Sequence, residues 1–133
     1  MCRPAEDSIL ERAVFLAAAS MIEHEISTLL EAPAAGTDAP TLAQIEDTLT
    51  AGYARALALE AERWRLERRV SEIASDLDKS EVQLHSSELK TLARRMEGAT
   101  ADLANLRALL TLLRDRAAEV RAAAAQPRRP SLR

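Results

Sequence analysis

The residues on which active sites are commonly built are few and scattered. His24 and His85 are the only histidines and Cys2 the only cysteine, while Gly36, Gly52 and Gly98 stand singly. Neither histidine belongs to an HExxH or ExxH pattern, and no cysteine lies near either, so the ligand spacing of a metal site is missing. His24 between Glu23 and Glu25 reads as a solvated helix residue. Isolated glycines do not make a phosphate-binding loop. Catalysis needs titratable groups gathered in a sheltered pocket, and no such set can be assembled from this chain. The expectation is a protein that is not an enzyme, with no cofactor, no metal and no small-molecule substrate.

One modification motif stands apart. In the carboxyl-terminal QPRRPSLR, residues Arg128, Arg129, Ser131 and Leu132 resemble the Arg-Arg-x-Ser-hydrophobic consensus of basophilic kinases. Phosphate on Ser131 would set negative charge on a basic tail.

The elements that would position these residues are helices. Phe15, Tyr53 and Trp64 are the only aromatics among 133 residues, and Ala, Leu, Arg and Glu dominate, as in coiled coils rather than sheets. Prolines occur at 4, 33, 40, 127 and 130, so none interrupts the body of the chain. This predicts an amino-terminal amphipathic helix over 1–32, a Pro/Gly/Ala linker over 33–40, a coiled-coil region over 41–126 and a basic disordered tail over 127–133. Thr41 offers an N-cap to the second helix. A single cysteine excludes an intramolecular disulfide and suits a reducing compartment. The apolar run AVFLAAASMI, 13–22, is preceded by Glu6, Asp7 and Glu11, which disfavours a signal peptide, and is about half the ~20 residues of a membrane span. The expected location is intracellular and cytoplasmic, with cytoskeletal or nuclear association as variants.

Steps of three and four from Leu42 land on Ile45, Leu49, Gly52, Ala56, Leu59, Arg63, Leu66, Val70, Ile73 and Leu77. A second series runs through Leu89, Leu92, Met96, Ala99, Leu103, Leu106, Leu110, Leu113, Ala117, Val120 and Ala124. Each is long enough for a heptad seam. Joining them requires a five-residue slip, which neither a stutter nor a stammer supplies. Asp78, Ser80, Ser86 and Ser87 gather there, and these residue types favour turns and caps, so a joint is expected near 78–88. The fold class that follows is all-α: three long helices, two of them a coiled-coil hairpin. The alternative is one extended coiled-coil rod from Thr41 to Gln126, about 130 Å long at 1.5 Å per residue.

Charge favours antiparallel pairing. Met1–Glu62 carries 3 basic and 11 acidic residues, a net of −8, and Arg63–Arg133 carries 15 and 10, a net of +5. Arginines interleaved with acids and no aromatic stacking face argue against nucleic acid. The first helix has apolar rows Leu10, Val14, Ala17, Met21 and Phe15, Ala19, Ile22, Ile26, Leu29. An arc that wide either completes a three-helix bundle or docks another subunit. Phe15, Ile22, Ile26, Leu29, Arg63 and Trp64 are therefore the partner-binding candidates. Trp64 lies one residue off the seam and is expected to pack internally or to anchor a partner. Arg63, on the seam, either restricts partner choice or carries its charge outward on its stem. Gly52 on the same seam reads as a site of close helix approach or as a tolerated kink.

The function expected from these features is helix–helix association, with other helical proteins or in a homo-oligomer. Such a chain would be a coiled-coil scaffold subunit of a cytoskeletal, spindle or tethering complex. The rival is a self-contained helical-bundle adaptor, chaperone or regulator of one target.

Overall fold

The computed structural model describes residues 21–75 and 82–125, the side chains of 82–84 excepted. It is all-helical. Helix α1 occupies residues 21–31, α2 Leu42–Ser75 and α3 Val82–Ala125, with no strand among the described residues.

The boundaries have local causes. Helix α1 closes with the Ala32 N–H donating to the Thr28 carbonyl at 3.1 Å, just before Pro33. The chain then turns through Gly36, whose φ of 104° falls in the left-handed region that a side chain disfavours. Helix α2 opens on a reciprocal cap: the Gln44 N–H donates to Thr41 Oγ1 at 3.1 Å, and the Thr41 N–H donates to Gln44 Oε1 at 2.8 Å. This capping box satisfies two amide donors that a helix start otherwise leaves open.

The serine cluster sits differently from its sequence reading. Residues 82–88, which would fall in a joint over 78–88, already belong to α3, while Leu77, Asp78 and Ser80 lie outside the described residues. Ser and Thr are held within the helices by donating their hydroxyls to the carbonyl four residues back, Ser75 to Ser71 at 2.9 Å and Thr91 to Ser87 at 3.2 Å.

The chain divides into two compact units, Met1–Tyr53 with Ala108–Arg133, and Ala54–Arg107. In the first, the described parts of α1, α2 and α3 bury Ile26, Ile45, Leu49, Leu110, Leu113 and Ala117. Gly52 marks where the three helices meet. A Cβ there would collide with the side chain of Leu110 on α3 and stand 3.6 Å from Ile26 Cδ1 on α1. Arg116 of α3 donates to the carbonyls of Leu30 at 3.2 Å and Ala32 at 3.5 Å, capping the carboxyl end of α1. Arg121 donates to Glu46 at 2.8 Å.

In the second unit, Ala56, Leu59, Leu66 and Ile73 of α2 are buried, as are Leu92, Ala99, Leu103 and Leu106 of α3. Leu66, Ile73 and Leu92 form a cluster flanked by the half-buried Val70, Leu89 and Met96. Arg107 pairs with Glu60, Arg95 with Glu62 at 2.8 Å and Arg69 with Glu88 at 2.9 Å. As the α2 number rises, the α3 number falls, so the two segments run antiparallel within this unit. Partners 19 to 75 positions apart have no place in one continuous helix. The packing is that of a helical bundle or hairpin.

Candidate protein-interaction surface

The described seam residues face inward: Leu42, Val70, Leu89, Met96 and Val120 are half-buried, and the remaining large apolar ones are buried. An inward seam makes apolar exposure elsewhere informative. In the second unit, Leu57 is 66% and Trp64 57% exposed, seven residues apart on α2. Seven residues are nearly two turns, so both stand on one stripe about 10.5 Å apart along the axis. Ala61, Arg68 and Ser71, also exposed, extend it.

The Arg68 guanidinium carbon lies 4.9 Å from the centre of the Trp64 ring. This is a cation–π contact between side chains one turn apart. Arg63 pairs with Glu67 at 3.4 Å, and Arg65 with Glu62 at 3.0 Å. Arg69 binds both Glu72 and Glu88, and the hydrogen bond and charge of Glu88, more than those of Glu72, raise its pKa above the ordinary arginine value. Arg68 is left facing the ring, with no carboxylate at ion-pair distance among the described residues.

Trp64 is exposed, its ring on the face of α2 away from Leu59, Leu66 and Ile73, and the described residues do not bury it. Arg63 is half-exposed and extends toward Glu67, its charge carried outward. Ile26 is fully buried and cannot meet an outside partner, while Ile22 and Leu29 are half-buried. Phe15 and Ser131 lie outside the described residues.

Leu57 escapes seam counting because it is off the heptad. Its signal is the spacing of seven to Trp64. Arg55 escapes because a charged residue predicts exposure, yet it is 8% exposed and not without a partner. Two hollows flank Trp64. One, of about 680 Å³, is lined by Trp64, Glu67, Arg68, Ser71, Glu72 and Ser75. The other, of about 310 Å³, includes Glu60, Arg63, Leu103 and Arg107. An apolar knob, an aromatic ring and the hollows beside it can receive the side chains of another helix.

Among the described residues, no three His, Cys, Asp or Glu side chains are placed to hold a metal ion, and no helix is long and apolar enough to cross a membrane. Comparison of the chain with family models, curated proteins and solved structures finds no match.

Proposed function

We propose that this chain is a non-enzymatic subunit of a multiprotein assembly, of the cytoskeletal, spindle or tethering kind, and acts by coiled-coil-like helix–helix association. The observation that carries this reading is the exposed Leu57–Trp64 stripe on α2, outside the inward seam. A tryptophan backed by arginine, with small residues around it, has the composition of an interface anchor. A photo-reactive residue at position 57 in living cells is expected to trap helical polypeptide. Replacing Leu57 and Trp64 by alanine is expected to remove the chain from its high-mass complex while leaving its helical circular dichroism intact. Unchanged complex size with no trapped polypeptide would defeat the reading.

The second reading, a self-contained adaptor, chaperone or regulator of one target, draws support from the seam residues buried within the chain. It predicts cooperative melting of the purified chain and one trapped target in place of several subunits.

A further inference from the structure

The stripe on α2 has a symmetry that selects its occupant. Leu57 lies seven residues before Trp64, and Ser71 seven after it. Leu57 is an exposed knob, whereas Ser71 lies in the open hollow lined by Trp64, Glu67, Arg68, Ser71, Glu72 and Ser75. Glu60 lies four residues before Trp64, and Arg68 four after it. Knob and hollow, anion and cation, are thus placed at equal distances on either side of one residue.

A two-fold axis through Trp64, perpendicular to α2, places each position opposite the one equally far on the other side. Such an isologous contact uses the same patch on both molecules and demands this self-complementarity. Resting on the proposed role in helix association, we infer that the occupant of this face is a second copy of the chain, its α2 antiparallel to the first and crossing it at Trp64. Leu57 of each copy enters the Ser71 hollow of the other. Small serines leave room for the leucine, and the two indoles lie against each other at the axis. Glu60 stands at the level of the other copy's Arg68, within reach of that long side chain on both sides. Glu60 gives one oxygen to Arg107 and keeps its side chain 43% exposed, so it can accept a second donor. Arg68, which has Glu67 and Glu72 beside it in the hollow but no carboxylate at ion-pair distance among the described residues, gains one.

Trp64 is the only tryptophan, so its fluorescence reads this contact directly. Sedimentation equilibrium and emission spectra of the full chain over a dilution series should show a monomer–dimer equilibrium, with emission moving to shorter wavelength as dimer forms. Leu57→Glu and Ser71→Leu should each weaken the dimer by at least about tenfold, the loss expected at an interface hot spot. Both sites are exposed, and circular dichroism checks that the fold is kept. In a Cys2→Ser background, mixing Leu57→Cys chains with Ser71→Cys chains should give a crosslinked heterodimer under mild oxidation, and neither variant should crosslink with itself. A chain monomeric at all concentrations, a dimer indifferent to both substitutions, or self-crosslinking through position 57 would each overturn the inference. A monomer that still traps another helical protein from position 57 would overturn it and leave the proposed function standing; a monomer that traps nothing would remove both.

Discussion

Gly52 shows how one atom decides helix distance. In a solvated helix, alanine is better than glycine by roughly 0.5–1 kcal/mol because glycine loses more backbone entropy on folding. Here the added methyl would overlap Leu110, 3% exposed and held among packed neighbours. Leucine can turn, but a buried one turns into atoms already present, and overpacking of this kind costs about 1–3 kcal/mol. Gly52→Ala is therefore expected to destabilise by about 1 kcal/mol net, the overlap exceeding the helix-propensity gain. Leu110→Ala removes the obstacle and leaves a cavity that the new methyl partly fills. The double variant should then be more stable than the sum of the single losses, a coupling that urea denaturation of all four proteins measures. Additive losses would show that the two residues do not meet. Arg69, by contrast, offers no lever on pH. Its raised pKa keeps its contribution present below the ordinary arginine value and loses it only at still higher pH.

At the scale of the element, the amino-terminal helix is held by more than its apolar face. Ile26 fills the contact with Gly52, but the last carbonyls of α1 have no successors to bond and would otherwise face water. Arg116, 84 and 86 positions away in sequence, supplies donors to two of them, with Glu119 at 3.9 Å steadying the guanidinium. Arg116→Met keeps much of the stem and removes the donors. The expected result is faster amide exchange at residues 28–32, with the amides around Leu113 little changed. Uniform acceleration in both places would mean that Arg116 supports general stability and not this helix end.

Much of this element architecture was legible in the chain. The seam spacing forecasts which residues of α2 and α3 turn inward, and Thr41 forecasts the start of α2. The cap's other half, Gln44, goes unread because a hydroxyl N-cap such as Thr41 can act without a reciprocal glutamine. The start of α3 at Val82 goes unread because serine's turn preference assumes that its hydroxyl competes with the helix. A hydroxyl donated to the carbonyl four residues back satisfies the side chain without breaking the helix, as Thr91 does over Ser87. The candidate surface was half legible: Trp64 is conspicuous as the one tryptophan, whereas Leu57 is one leucine among many. Which of them is exposed depends on the direction the helix faces, and a missing partner can change that without changing local sequence.

At the scale of the whole chain, the decisive question is whether α2 finds α3 of its own molecule. The sequence puts acid in one half and base in the other, and cross-helix pairs join Glu46, Glu60 and Glu62 of the acidic half to Arg121, Arg107 and Arg95 of the basic half, while Arg69 and Glu88 pair within the basic half. Each exposed pair contributes only about 0–1 kcal/mol, so they choose the partner and direction more than they provide stability. The buried leucines and isoleucines stabilise whichever pairing is chosen, since burial is non-directional. Intrachain and interchain pairing are separated by distance and dilution together. Spin labels on cysteines replacing Glu46 and Arg121, in a Cys2→Ser background, should report one short distance in the first unit. Labels replacing Glu62 and Arg95 should do so in the second. Diluting labelled protein with an excess of unlabelled chain should leave both distances and their amplitudes unchanged, because each pair lies within one molecule. In a parallel rod the two labels of one chain would be about 110 Å apart for the first pair and about 50 Å for the second, at 1.5 Å per residue. Loss of the short distances on dilution would instead show that the α2–α3 seams are completed between molecules.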